Sequence, residues 1–269
     1  MIRLILIDID GTLIGEDATI HPSTYPALER ARNAGVHLGV ATGRPGFGVA
    51  LEFARVVSEN DLHIFNSGAT ISKPGQKAVF TADLPRSAYL ELVAISRREA
   101  VPLEVYTEDE FYLEREDALV KHHAEHLHWT PKHTDLLALE GHIVRVQWVV
   151  HESVWEKFHA LTIVLSDLEI SPATAPWSPG TVFASITKTG SSKLGAAKWL
   201  ANHYGCGLEN VMMIGDADND VELIAGAGFG VAMGNGSANA KAVAKKIVAN
   251  VDDGGLAEAI DLALQTLNT

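Results

Sequence analysis

Two short apolar runs each end abruptly in a cluster of carboxylates, and this pairing constrains the fold more than any other feature of the chain. Near the N-terminus, Leu4-Ile5-Leu6-Ile7 leads into Asp8-Ile9-Asp10-Gly11-Thr12-Leu13. Aliphatic throughout and closed by a glycine turn, the run fits a strand buried on both faces of a parallel sheet. In open parallel sheets, ligands gather at the carboxyl ends of the strands. Far along the chain, Val211-Met212-Met213-Ile214-Gly215 leads into Asp216-Ala217-Asp218-Asn219-Asp220. Adjacent parallel strands would bring Asp8, Asp10, Asp216 and Asp220 into one oxygen-rich pocket. Carboxylates so crowded repel each other unless a cation sits among them. Hard oxygen donors suit Mg²⁺, which keeps several waters and takes one or two carboxylates beside a phosphate. Asp218-Asn219-Asp220 also matches part of a calcium loop, but the glycine and later glutamate of that loop are not at the required spacing.

The rest of the pattern supplies the sheet. Strand 3–8, a helix near 22–34 ended by Gly35, strand 36–41, a helix near 46–57 and strand 62–66 alternate in order. Such alternation predicts an α/β fold with a doubly wound parallel, Rossmann-like sheet and helices on both faces. The alternation resumes with a helix at 191–204, strand 211–214, a helix at 218–226 and strand 229–232. A helix at 236–245, a short strand at Ile247-Val248 and helix 255–267 close it. The middle differs. Helices fit 85–100, 115–127 and 152–165, and strands fit 103–106, 110–113, 142–150, 168–171 and 181–186. Val144, Val146, Trp148 and Val150 alternate with Arg145, Gln147 and Val149, which predicts a half-buried antiparallel strand. We read 83–186 as an α+β module inserted into a core formed by 1–82 and 187–269. The loop Ala173–Gly180, with two prolines and a glycine, reads as an irregular turn inside that module.

Charge and cysteine content narrow the partners. The formal charge of −13 disfavours nucleic acid and acidic membranes, and no Lys/Arg run offsets it. A single cysteine, Cys206, excludes an internal disulfide and fits a reducing compartment. The first apolar run is broken by Asp8 and Asp10, so no signal peptide is read there, and no stretch is apolar for long enough to span a membrane. A cytoplasmic protein acting on a small molecule is the expectation.

The motifs resemble those of the haloacid dehalogenase superfamily, in its Cof-type branch. Asp8-Ile9-Asp10-Gly11-Thr12 resembles the first motif, DxDGT, and Gly215-Asp216-Ala217-Asp218-Asn219-Asp220 the fourth, GDxxND. Val40-Ala41-Thr42-Gly43-Arg44 resembles the second, an apolar strand ending in a hydroxyl. Gly190-Ser191-Ser192-Lys193-Leu194-Gly195 resembles the third, GxxKG, with Leu194 at the usual glycine. Phe65-Asn66-Ser67-Gly68-Ala69 is similar to the NGA segment, with Ser67 where asparagine is usual, and Gly230–Asn235 matches the segment after the fourth motif.

The resemblance implies a type-two cap in the middle of the chain and a Mg²⁺-dependent phosphatase acting on a sugar phosphate through an aspartyl-phosphate. It implies that Asp8 is the nucleophile and that Asp10 is the acid and base, its backbone carbonyl also serving the metal. Asp8, Asp10 and Asp216 would hold Mg²⁺, with Asp220 and Thr12 in support. Thr42, Gly43, Lys193 and Asn219 would bind phosphate, and Arg44 is a further candidate. A hydroxyl and an ammonium suit a phosphoryl group whose charge gathers on its equatorial oxygens. Lys188 is expected on a solvated turn and Asp218 either facing solvent or as an N-cap. Two alternatives stand: a phosphomutase, or a non-catalytic phospho-acceptor or sensor domain.

Selectivity is not legible. Tyr106, Arg115, His142 and Trp177 are candidates in the middle segment. His122, His123, His126, His128 and His133 crowd one stretch, and His122 and His126 share a helix face at zinc-compatible spacing. A solvated, histidine-rich helix is the simpler reading.

Overall fold

The computed structural model describes residues 1–175 and 177–265; Pro176 and the last two residues of the expected helix 255–267 lie outside the described residues. The chain runs β1 (Leu4–Ile7), α1 (Thr24–Asn33), β2 (His37–Val40), α2 (Val49–Val57), β3 (His63–Phe65), β4 (Thr70–Ser72) and β5 (Phe80–Thr81). It continues through α3 (Arg86–Glu99), β6 (Leu103–Tyr106), β7 (Phe111–Leu113), α4 (Ala118–His126), β8 (Lys132–His133), β9 (Arg145–His151), α5 (Glu152–Thr162), β10 (Leu168–Thr174) and β11 (Thr181–Lys188). It ends with α6 (Lys193–His203), β12 (Val211–Gly215), α7 (Val221–Gly226), β13 (Phe229–Ala232), α8 (Ala238–Val243), β14 (Lys246–Ile247) and α9 (Gly255–Gln265).

The core sheet has the order β14-β13-β12-β1-β2, every pair parallel. Beyond β2, Thr42 N–H donates to Ile64 O, so β3 extends the sheet before β4 and β5 turn antiparallel. From β1 the chain first moves outward through β2 and β3, then returns to β12 on the other side of β1 and moves outward again. The order reverses between β1 and β12, and such a reversal opens a crevice at the strands' carboxyl ends. Both faces of β1 are buried, as its apolar run predicts. Ile5 and Ile7 pack towards α1, α2 and α9, while Leu4 and Leu6 pack towards α6 and α7. Each such side chain contributes about 1.5–3 kcal/mol on burial.

The inserted α+β module has its own sheet, ordered β10-β11-β9-β6-β7-β8 and antiparallel except for β7–β8. Val146, Trp148 and Val150 pack under α3 and α5 with Tyr89, Leu92 and Phe158. The expectation of a half-buried β9 is corrected: Arg145 through Val150 are all buried. The alternation is real, but the face carrying Arg145, Gln147 and Val149 turns towards the core instead of water. There Val149, Tyr106 and Phe183 cluster with Phe47 and Ala69 of the core.

Element boundaries shift by a few residues from expectation. Strands β4, β5 and β8 were not foreseen, being too short to show a period. The helix expected at 218–226 begins as a single 3-10 turn, Asp218–Asp220, before α7.

Candidate functional site

The site forms where β1 and β12 end side by side. Asp8 N–H donates to Ile214 O at 3.0 Å, which carries the parallel register one residue past β1 and seats Asp8 beside β12. The chain then turns at Gly11, whose φ is +79°. A Cβ there would lie 2.2 Å from Asp216 Oδ2, so only glycine lets the turn pass against that carboxylate. The same turn delivers Thr12, whose Oγ1 donates to Asp216 Oδ1 at 2.9 Å. After β12, Asp220 folds back: its Oδ2 accepts the N–H groups of Asp216 and Ala217 at 3.1 and 3.2 Å.

Lys193 opens α6, where the Ser192 side chain accepts the Gly195 N–H as an N-cap. Its Nζ donates to Asp8 Oδ1 and to Asp220 Oδ1, both at 2.7 Å. All three side chains are buried. Leu194, at the motif's usual glycine, lies partly buried against the cluster under α6 and α7 and leaves the lysine in place. Lys188 is exposed, as is Asp218, which accepts from Ser237 and Asn239.

Oxygen atoms of Asp8, Asp216 and Asp220 lie within 4.8 Å of one another, the one such metal-capable group among the described residues. Burial, then the Asp220 charge, pushes Asp8 well above the usual carboxylate range, with Lys193 opposing. Burial raises Asp216 to about 6. Burial also works against the charge of Lys193, but Asp220 and Asp8 outweigh it and hold its pKa above the ordinary value. One ammonium thus faces three carboxylates, and the remaining negative charge and oxygen-only donors fit a hard divalent cation.

Asp10 is placed apart from that cluster. Its carboxylate is gripped by Arg44, Nε to Oδ2 at 2.8 Å and Nη2 to Oδ1 at 2.7 Å. Thr42 is buried at the end of β2, and its Oγ1 accepts the Arg44 N–H at 3.1 Å. Asp10, Gly43, Arg44, Lys193 and Asn219 line one cavity of about 660 Å³ between the two sheets. The turn Asn66–Gly68 closes against α6, for a Cβ on Gly68 would lie 2.2 Å from Ser192 O. Asn66 itself is buried and donates to Thr70.

The inserted module forms the other wall. Of the four selectivity candidates, Trp177 lines the cavity. Tyr106 lies one layer behind, beneath the Arg145 guanidinium at 3.9 Å. Arg115 and His142 are not on the wall, and His142 pairs with Asp83 at 2.7 Å. The reading of a solvated histidine helix is corrected for two members. His123 is buried, its Nδ1 2.8 Å from Glu104 Oε1, and His126 is half-buried and stacked on Trp177 at 3.9 Å. Burial, then Arg44, pushes His126 down to about 4. His133 turns to Glu116 instead, so the histidines do not converge.

Arg145 and Gln147, named in the sequence only for their alternation, and His123, named only within the histidine run, line the cavity without having been expected at the site. A signal existed for the first two, since alternation along β9 puts them on one face.

An α/β fold with buried acids and a lysine at its switch point, roofed by an inserted α+β domain, defines a class of hydrolases. The chain belongs to the haloacid dehalogenase-like hydrolases, whose family model matches residues 5–260. It is similar to the 5-amino-6-(5-phospho-D-ribitylamino)uracil phosphatase YitU of Bacillus subtilis (strain 168), with 28% identity over 94% of each chain. It is also similar to the pyridoxal phosphate phosphatase YbhA of Escherichia coli (strain K12), with 28% identity over 96% of this chain and 97% of the other. A solved structure of the subclass IIB sugar phosphatase BT4131 superposes with a TM-score of 0.79 at 25% identity, covering 97% of this chain and 98% of the other. The protein is a phosphatase of the Cof-type branch of the family.

Proposed function

We propose that the protein is a Mg²⁺-dependent phosphatase that hydrolyses a sugar phosphate through an aspartyl-phosphate on Asp8. One observation carries this reading: the buried Asp8–Lys193–Asp220 chain at the strand switch point, whose Lys193 lines a cavity between the core loops and the sheet of the inserted module. YitU, named for a phosphoribityl compound, and BT4131, named a sugar phosphatase, support the substrate class.

Mg²⁺ would be held by the Asp8 and Asp216 carboxylates and the Asp10 backbone carbonyl, and when bound it draws in phosphate and offsets its charge. Asp10 would serve through its carbonyl because Arg44 holds its carboxylate outside the Asp8–Asp216–Asp220 cluster. Lys193 holds Asp8 Oδ1, and Asp8 Oδ2 has no hydrogen bond among the described residues, so we assign Oδ2 to attack on phosphorus. Asp220 positions Lys193, and Thr12 positions Asp216. The Thr42 hydroxyl, Gly43, Lys193 and Asn219 would bind the phosphoryl oxygens. Asp10 would protonate the leaving oxygen, then take a proton from the water that cleaves the aspartyl-phosphate.

In this reading residues 1–82 and 187–269 are the catalytic core and 83–186 the cap, although β11 itself continues to Lys188. Closure of the cap would exclude water, with hinges near 81–84 and 186–190. The formal charge of −13 argues against a nucleic-acid partner, and no helix among the described residues is long and apolar enough to cross a membrane. A cytoplasmic site of action fits the lone cysteine, Cys206. The test is phosphate release from a panel of metabolite phosphates with Mg²⁺ present, run beside Asp8→Asn. Turnover by the Asp8→Asn protein would overturn the covalent scheme. Phosphate moved to another hydroxyl, instead of released, would mark a mutase.

A further inference from the structure

The cavity holds three arginine and lysine side chains on its walls, and they differ in one respect. Lys193 is paired with Asp8 and Asp220, and Arg44 with Asp10. Arg145 is 4% exposed, yet no carboxylate among the described residues lies in salt-bridge reach of it. Its Nη1 donates to Gly43 O at 2.7 Å, and its guanidinium carbon lies over the Tyr106 ring, 3.9 Å from the centroid. Its Nε is buried with no hydrogen-bond partner among the described residues. Buried charges are ordinarily paired, because removing an ion from water is costly unless an opposite charge replaces the hydration.

The nearby acid does not fill that place. Glu104, opposite Gln147 in the β6–β9 register, is fully buried. It accepts from the Tyr106 hydroxyl at 2.8 Å and from Gln147 Nε2 at 3.0 Å, and both its oxygens lie near His123 Nδ1. Glu104 therefore fixes the ring on which Arg145 rests and does not meet the guanidinium. The arginine is held in place from beneath by an aromatic face and from the core side by a carbonyl. Its charge is left for something inside the cavity.

We propose that Arg145 binds a second anionic group, a carboxylate or a second phosphate, on the leaving portion of the substrate. This deepens the phosphatase reading above and rests on it. The preferred substrate is then a sugar-acid phosphate or a sugar bisphosphate, not a neutral sugar monophosphate. The guanidinium suits either anion because its planar fork matches two oxygens at once.

The experiment compares matched esters that differ in the second anion: phosphogluconate against glucose phosphate, phosphoglycerate against glycerol phosphate, and fructose bisphosphate against fructose monophosphate. The first two pairs read a carboxylate and the third a second phosphate. Wild type should favour the doubly anionic member in kcat/KM in at least one pair, through KM. Arg145→Gln should cut that preference by about 10- to 100-fold, the size of a lost charge-assisted contact. Arg145→Lys should restore part of it. A wild-type ratio near one in every pair, or a parallel fall on both members in Arg145→Gln, overturns the proposal. Equilibrium binding of the same pairs to the Asp8→Asn protein reads the subsite without chemistry. If that protein binds the doubly anionic member more tightly but wild type releases no phosphate, the phosphatase reading fails and the subsite stands. If wild type releases phosphate but shows no preference in rate or binding, the subsite alone fails.

Discussion

Arg44 and Asp10 face each other fork to fork, two hydrogen bonds of 2.8 and 2.7 Å joining a guanidinium to a carboxylate across the mouth of the cavity. This pairing fixes the direction of the Asp10 carboxylate while leaving it partly open to solvent. It therefore positions the group to which the leaving-oxygen proton is assigned.

Asp10→Asn should cost roughly 10²–10⁴ in rate on alkyl esters, whose leaving oxygen must be protonated. The loss should be smaller on an aryl phosphate. Arg44→Ala should show the same dependence on leaving group at lower amplitude, because Asp10 survives but loses its fixed orientation. Steady-state rates on a series of esters of graded leaving-group pKa check both. Equal losses across the series would assign Asp10 a structural or metal role instead.

Lys193→Met should leave Asp8 and Asp220 buried without their shared ammonium. Breaking such a buried arrangement costs about 3–5 kcal/mol. The loss should show in urea unfolding of metal-free protein and shrink when Mg²⁺ is added, since the cation replaces part of the missing charge. A loss of the same size with and without Mg²⁺ would mean that the carboxylates and the metal do not share the site.

Mg²⁺ binding should weaken in acid. Burial holds Asp216 at about 6, so below that value it carries a proton that the cation must displace. Above it the carboxylate is already ionised. The apparent affinity should therefore fall as pH drops through 6, approaching about tenfold per unit for one displaced proton. Calorimetric titration with Mg²⁺ at pH about 5 and about 7.5 checks this. Equal affinities would place the cation away from Asp216.

A separate pH effect comes from His63, fully buried on β3. Its Nδ1 accepts the Val40 N–H at 3.0 Å and its Nε2 donates to Ser58 O at 2.8 Å, a pattern that requires the neutral ring. Burial depresses its pKa from 6.5 to about 4. Unfolded chains therefore bind the proton first. The stability that neutral His63 contributes is complete above 6.5 and is lost as pH falls towards 4. The full span corresponds to about 3 kcal/mol. Comparing urea midpoints of wild type and His63→Gln across that range should show the wild type losing more. A constant difference between the two would remove His63 from the pH dependence.

Much of the core was readable in the chain. Residues 4–7 are apolar without interruption, and a run with no polar face has to be buried on both sides. Its ending in Asp8 and Asp10, and the similar ending of β12 in Asp216 and Asp220, puts the acids at strand ends whatever the packing details. Lys193 was readable through its motif, and Asp220 as support for it or for a metal water, although the contact of Lys193 with Asp8 was not.

The inner face of the inserted module was a different case. Alternation along β9 showed that Arg145 and Gln147 share a face but not that this face looks inward. That depends on how the inserted module's sheet sits over the core, which no single strand encodes. Glu104 and His123 come from a strand and a helix separated by many residues, and only antiparallel pairing with β9 sets them beside Gln147. Arg44 and Asp10 stand on different loops that meet because β1 and β2 are neighbours.

By itself, then, the sequence determined the properties that follow from local period and composition: a buried parallel strand ending in acids, its counterpart far downstream, and an inserted segment of another pattern. Tertiary structure alone decided which carboxylate met which cation. Lys193 went to Asp8 and Asp220, Arg44 to Asp10, and Arg145 to none among the described residues. The physical reason is range. Burial and periodicity are written in neighbouring residues, whereas charge pairing depends on a few ångströms between side chains that the chain order keeps far apart.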